Sequence, residues 1–85
     1  MAINTIGLVS SITNIHPSSL RRWESLGHIR PLRMFLSGAS LRIYTDAQVE
    51  LLKTVKGYLD DGYQLKSAFR LAKEHTEPAE SEEDE

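Results

Sequence analysis

Two adjacent arginines, Arg21 and Arg22, and two nearby serines, Ser18 and Ser19, are the residues of this chain best suited to specific chemistry. An arginine can bind a guanine edge or a phosphate through parallel N–H groups, and a serine hydroxyl can donate and accept hydrogen bonds. Free amide groups in the first turn of a helix also attract phosphate. This spacing indicates a short segment that binds nucleic acid.

A helix would have to position these side chains. Over residues 20–27, a rotation of about 100° per residue places Leu20, Trp23 and Gly27 on one side. The other side carries Arg21, Arg22, Ser18 and Ser25. A short helix with one apolar face and one positively charged face suits insertion into a major groove, so we predict the recognition helix of a helix-turn-helix.

The residues before this helix predict its partner. A first helix of about two turns is expected over 6–12, with Thr5 as its N-cap. Asn14 can adopt a left-handed conformation after it, and Pro17 suits the first position of the next helix. That second helix is expected to stop at Gly27.

A hairpin is predicted next. Two runs rich in β-branched and aromatic residues, 29–35 and 41–44, flank a Ser/Gly turn over 36–40 and therefore indicate a wing. Arg33 and Arg42 lie on its two arms, where they could contact the DNA backbone or minor groove.

Two further helices complete the predicted fold. Apolar residues at helical spacing indicate a third helix from Thr45 or Asp46 to Asp60 and a fourth from about Gln64 to His75, packed on the third. We therefore predict a mainly α winged helix-turn-helix, with two short helices, a β-hairpin wing and two further helices. Its DNA-binding domain would span 1–75.

Charge is segregated along the chain. The net charge is −2, but residues 1–75 carry +4 and residues 76–85 carry −6. Five arginines lie between positions 21 and 42, opposed only by Glu24, which predicts a footprint for phosphate there. The segment 76–85 is too polar to bury a core and is predicted to be a disordered acidic tail. An alternative to a purely solubilising tail is competition with DNA for the arginines.

Composition excludes several classes of protein. The chain has 85 residues and no cysteine, so we expect one small domain without disulfides, thiolate metal sites or a zinc finger. No apolar run approaches the roughly 20 residues of a membrane span, which favours a cytoplasmic, nucleoid-associated protein without a membrane partner. Scattered histidines and no nucleophile motif predict neither metal, cofactor nor enzymatic activity.

The ordered segment 6–72 resembles the winged-helix DNA-binding domain of the MerR family of bacterial regulators. Residues 6–9 are similar to that family's opening helix, 15–24 to its turn and recognition helix, and 61–66 to the link between its third and fourth helices. The wing of the family is matched by Gly27, Pro31, Arg33, Gly38, Arg42 and Tyr44.

Four departures from the family pattern stand out. Between Gly38 and Arg42 the hairpin carries about two residues more than usual, which predicts a longer tip or a displaced register. His16 replaces the usual N-cap serine, and Trp23 stands where tyrosine is more common. An effector domain is expected to be absent, as in a minimal member of excisionase-like size, unless the chain is the DNA-binding piece of a longer protein.

The resemblance implies a DNA-binding surface. The side chains of the second helix would face the major groove, while the three arginines that follow would bind phosphate or remain a solvated surface. Trp23 is interpreted first as a packing residue and second as a phosphate donor, and Tyr44 as either hairpin core or a phosphate donor. The complete predicted set is Ser18, Ser19, Arg21, Arg22, Trp23, Arg30, Arg33, Arg42 and Tyr44.

The function implied is that of a sequence-specific, double-stranded DNA-binding transcriptional regulator of MerR type, from a bacterium or a mobile element. Its predicted partners are DNA and further copies of itself on repeated sites, with RNA polymerase or a recombinase as additional candidates. One alternative is an excisionase-like architectural factor that bends DNA for recombination. Another is an adaptor whose winged helix binds a protein.

Overall fold

The computed structural model of the chain describes residues 4–76. In chain order the elements are β1 (Asn4–Thr5), α1 (Ile6–Thr13), α2 (Pro17–Ser25), β2 (Leu32–Leu36), β3 (Ala39–Tyr44), α3 (Asp46–Asp60) and α4 (Leu65–Thr76). The predicted mainly α winged helix-turn-helix is confirmed. The acidic tail predicted over 76–85 lies outside the described residues except for Thr76, which is the last residue of α4.

The helix-turn-helix is formed by local capping. The Thr5 hydroxyl accepts a hydrogen bond from the Leu8 N–H, and α1 ends at Asn14, whose φ of 62° is left-handed. Nδ1 of His16 caps α2 by accepting from the Ser18 N–H at 3.1 Å, with Pro17 as the first helical residue. Each cap gives a hydrogen-bond partner to a backbone group at the end of a helix, where such groups lack a partner within the helix.

The wing has a tighter turn than the sequence predicts. β2 and β3 pair antiparallel with Leu36 opposite Ala39, so the turn consists of Ser37 and Gly38 alone. Their φ values of 49° and 80° are those of a type I′ turn, whose twist matches a two-residue hairpin. The turn predicted over 36–40, with a longer tip, is therefore wrong.

A third strand, which the sequence analysis did not predict, pairs with the wing. β1 lies antiparallel to β3, with Asn4 opposite Tyr44, and the strand order is β1-β3-β2. The buried Asn4 amide donates to the Tyr44 carbonyl at 3.0 Å and to an Asp46 carboxylate oxygen at 2.9 Å. These bonds connect the chain's first described residue to the point where the wing joins α3.

The start of α3 is a reciprocal capping box. The Thr45 hydroxyl accepts from the Gln48 N–H at 3.1 Å, and the Gln48 side-chain oxygen accepts from the Thr45 N–H at 2.9 Å. The Gln48 amide also donates to the Arg30 carbonyl at 3.0 Å. This end of α3 therefore holds the segment that leads into the wing.

The chain divides into two compact units, with the boundary between Val49 and Glu50 inside α3. In the first unit, the largest fully buried side chains are Tyr44, Leu20 and Val9. The core side chains of the second unit are Leu51, Leu52, Val55, Ala68, Phe69 and Ala72. No helix in the described part of the chain is both long and apolar enough to span a membrane.

Candidate nucleic-acid interface

The exposed face of α2 carries the arginines that the sequence singles out. Arg21 and Arg22 are exposed, whereas Leu20 and Trp23 are buried behind them. Within residues 4–76, neither arginine forms an ion pair with an acidic side chain. The predicted apolar back is confirmed for Leu20 and Trp23, whereas Gly27, predicted on the same side, is exposed and lies beyond the end of α2.

The serines lie at the amino end of the same helix. Ser18 is exposed and Ser19 half-buried. The Ser18 hydroxyl lies 2.8 Å from Nδ1 of His16, the nitrogen that also caps the helix. His16 therefore orients a hydroxyl that the sequence analysis assigned to DNA, a role that was not predicted for it.

Arg33 and Arg42 are held by one carboxylate. Glu24, on α2, accepts from Arg33 Nη2 at 2.9 Å through one oxygen and from Arg42 Nε at 2.5 Å through the other. The two arginines lie directly opposite each other on β2 and β3, where like charges repel. Glu24 offsets that repulsion and joins α2 to both strands of the wing.

The environment of Glu24 favours its charged form. Burial raises the pKa of the Glu24 carboxyl, but the hydrogen bonds and positive charges of Arg42 and Arg33 outweigh it, so the pKa is lowered from its ordinary value. The Glu24 side chain is 20% exposed, so water screens this cluster less than a fully exposed pair. The sequence did contain a signal for this contact, because Glu24 is the only acidic residue between positions 21 and 42.

Tyr44 lies in the core of the first unit. Its side chain is fully buried, and its hydroxyl has no hydrogen-bond partner among the residues described. Burial raises the pKa of the Tyr44 phenol, and the nearby Glu24 charge raises it further. The alternative of hairpin core fits this position, whereas a phosphate cannot reach the hydroxyl in this conformation.

The other two predicted residues differ in exposure. Trp23 is 7% exposed and packs in the back of α2, which fits the packing role preferred for it. Arg30 is exposed, and in the segment 4–76 its side chain has no ion pair. Arg30, Arg21 and Arg22 are therefore available to an anion from outside the chain.

The structure brings together α2 and the wing through the Glu24 carboxylate. Among residues 4–76, no three His, Asp or Glu side chains are arranged to hold a metal ion. What the surface offers is guanidinium groups and hydroxyls, which recognise phosphate and base edges.

Comparison with known proteins assigns a family. The model of a family described as MerR HTH family regulatory protein matches residues 4–74, most of the chain. This chain belongs to the MerR family. The MerR match includes both helices of the helix-turn-helix, the wing and nearly all of α4.

Two of the similar proteins are named as HTH-type transcriptional regulators. The HTH-type transcriptional regulator MlrA of Escherichia coli (strain K12) is 31% identical over 72 residues, which is 84% of this chain and 28% of that protein. The protein of the same name from Salmonella typhimurium (strain SL1344) is 32% identical over 66 residues, 76% of this chain and 26% of that protein. The chain thus corresponds to about a quarter of each relative, and both are named as regulators of transcription, a class that is not enzymatic.

Proposed function

We propose that this chain is a sequence-specific regulator that binds double-stranded DNA by inserting α2 into the major groove. The observation that carries the proposal is the arginine face of α2: Arg21 and Arg22 project into solvent while Leu20 and Trp23 anchor the helix from behind. An arginine fork matches the two acceptors of guanine, and family membership supplies the DNA-binding class.

The wing has a secondary role in this proposal. Arg30 binds phosphate beside the groove, and Arg33 and Arg42 add positive potential while Glu24 holds them in place. Arg33, Arg42 and Glu24 together carry one net positive charge, because two guanidinium groups share one carboxylate. The phosphate contacts and this charge would position the protein on DNA without recognising its base sequence.

We further propose that residues 1–75 form the DNA-binding domain and that its winged helix makes the DNA contacts. A single module of this size makes few base contacts, so copies that associate on repeated sites supply the affinity. The compartment that fits this function is the cytoplasm, at the nucleoid.

The test begins with selection of bound duplexes from a random pool by the full chain. Affinity for the selected duplex is then compared for the native chain, Arg21→Ala and Arg22→Ala across a range of salt concentrations. Each variant is expected to bind roughly 5- to 150-fold more weakly, with the larger losses for base contacts. The matched control is Arg70→Ala, which removes an exposed arginine of α4, and it should change affinity less than about twofold.

Failure of the proposal has a clear form. A pool without any enriched duplex would contradict DNA recognition. Equal affinity of the native chain and both α2 variants for the selected duplex would show that this face of α2 does not recognise DNA.

A further inference from the structure

The wing exposes an apolar strand at an open sheet edge. β2 pairs with β3 on one side, and no described strand pairs with its other side. All five of its residues are exposed, including Phe35 at 74% and Leu32 at 62%. Natural proteins usually protect such an edge with prolines, several charges or a covering loop, since it can pair with another strand. β2 has no proline, and its one charge, Arg33, is engaged by Glu24.

The hairpin geometry determines which backbone groups face the open edge. In a two-residue hairpin the pair that flanks the turn, Leu36 and Ala39, is hydrogen-bonded, and hydrogen-bonded and non-bonded pairs then alternate. Phe35 and Arg33 consequently belong to non-bonded pairs. Their N–H and C=O groups point away from β3, toward the free edge.

The strand is complementary to itself in one antiparallel register. With two copies of β2 centred on Met34, Arg33 of each copy lies opposite Phe35 of the other, and their outward N–H and C=O groups form a complete set of hydrogen bonds. A guanidinium beside an aromatic ring is attractive. On the other face, Leu32 lies opposite Leu36. Parallel or shifted pairings would place two Arg33 side chains together or leave outward groups unpaired.

We infer that β2 is a self-association edge, at which two copies of this chain join their wings into one continuous antiparallel sheet across a two-fold axis at Met34. The partner strand is β2 of a second copy, because in this register the outward N–H and C=O groups of the two strands pair with each other. The register also brings no like charges together. A two-stranded contact of this length is weak in free solution and gains strength when both copies are held on neighbouring DNA sites. That use of the contact rests on the proposed function, whereas the contact itself can be tested without DNA.

Single-cysteine crosslinking tests the register directly, because the chain has no cysteine of its own. In the inferred pairing the two Met34 Cα atoms lie about 4.5 Å apart, within the range that a disulfide spans. The matched control is Leu41, whose exposure of 38% equals that of Met34 and which lies on the same face of the neighbouring strand. Two Leu41 residues would be about 14 Å apart, too far for a disulfide.

The full chain carrying Met34→Cys or Leu41→Cys is oxidised mildly, without DNA, and the disulfide-linked dimer is measured on a non-reducing gel. Met34→Cys is expected to crosslink at least about tenfold faster than Leu41→Cys. Equal rates, faster crosslinking at position 41, or no dimer with either variant would overturn the inferred edge.

A pair of proline variants tests the backbone contacts. Phe35→Pro removes an N–H that faces the inferred partner, and Ser40→Pro removes the N–H of the residue opposite, which faces the other side of the hairpin. In the Met34→Cys background, Phe35→Pro should slow crosslinking roughly tenfold and Ser40→Pro should slow it less than about twofold. Equal effects of the two prolines would contradict the pairing.

Binding of the reduced chain to a one-site duplex separates this inference from the proposed function. Crosslinking at position 34 without any DNA binding would support the edge and overturn the regulator. DNA binding without crosslinking at position 34 would support the proposed regulator and overturn the self-association edge.

Discussion

The arginines of α2 and those of the wing belong to the same basic stretch but have different surroundings. Arg21 and Arg22 stand in solvent, whereas Arg33 and Arg42 share the carboxylate of Glu24. A guanidinium without an ion pair can give all its donors to an incoming duplex, while one already bonded to a carboxylate must exchange that partner. We therefore expect α2 to contribute recognition and the wing to contribute shape and background charge.

This difference also assigns a structural role to the wing cluster. Glu24 projects from α2 and bonds to arginines on both β2 and β3, so the recognition helix and the hairpin are fixed to each other at one point. The hydrogen bonds of Glu24 therefore connect α2 to the hairpin.

The largest effect is expected from the apolar back of α2. Leu20→Ala should lower the free energy of unfolding by about 2–5 kcal/mol, because Leu20 is fully buried and its removal leaves a cavity. Denaturant titration followed by circular dichroism measures the change. Leu26→Ala is the control, since this exposed leucine at the end of the same helix should cost less than about 1 kcal/mol. A small loss at Leu20 would contradict the view that it anchors the arginine face.

Removing the charge of Glu24 should release the wing arginines. Glu24→Gln is expected to lower the free energy of unfolding by about 1 kcal/mol, because two charge-assisted hydrogen bonds are weakened in a partly buried site. Its affinity for unrelated DNA at low salt should rise roughly 2- to 10-fold, because two guanidinium groups become available to phosphate.

The control for that variant is Glu50→Gln. It removes an exposed carboxylate that pairs with Lys53 three residues later on α3, and should change stability by less than about 0.5 kcal/mol. Weaker DNA binding by Glu24→Gln, together with unchanged stability, would show that the cluster does not hold the wing arginines back.

The free energy of unfolding should depend on pH through the carboxyl group of Glu24. The pKa of Glu24 lies below its ordinary value of 4.5, so its stabilisation is fully present above that value and is lost as the pH falls through the lowered folded-state value. The native chain and Glu24→Gln should therefore differ in unfolding free energy at about pH 7, and the difference should shrink as the pH falls through the lowered folded-state pKa of Glu24. A difference that persists in acid would mean that the shape of the side chain, and not its charge, is responsible.

The smallest effect is expected at Tyr44. Tyr44→Phe removes a buried hydroxyl that has no partner among the described residues, so stability should rise by about 0.5–1 kcal/mol. Affinity for the selected duplex should stay within about twofold of the native value, since the side chain lies in the core. A tenfold loss of affinity would restore Tyr44 as a phosphate donor.

Local signals made much of the fold predictable. Thr5, Asn14 and Pro17 each act on a helix end through their immediate neighbours, and the structure places all three where the sequence indicates. The division of α2 into two faces follows from helical spacing alone. The wing was predictable as a hairpin but not in its turn, because Ser37 adopts a positive φ that residues other than glycine seldom adopt.

The features that could not be predicted are those made by distant parts of the chain. β1 has two residues and pairs with a strand some forty positions away, so it leaves almost no pattern in the sequence. The contact of Glu24 with Arg33 and Arg42 likewise depends on how α2 packs beside the hairpin. The nine residues predicted to contact DNA followed from the family resemblance and from residue type, and neither could separate the free arginines from the engaged ones, or Tyr44 from the surface.

The single tryptophan of this chain occupies a useful position. Trp23 is buried in α2, next in sequence to Arg22 and to Glu24, with its ring on the side away from the exposed arginines. Its fluorescence can therefore be followed without an attached dye. A change in the Trp23 emission spectrum on addition of a duplex would report a change in the surroundings of α2. This signal would come from the protein and not from the nucleic acid.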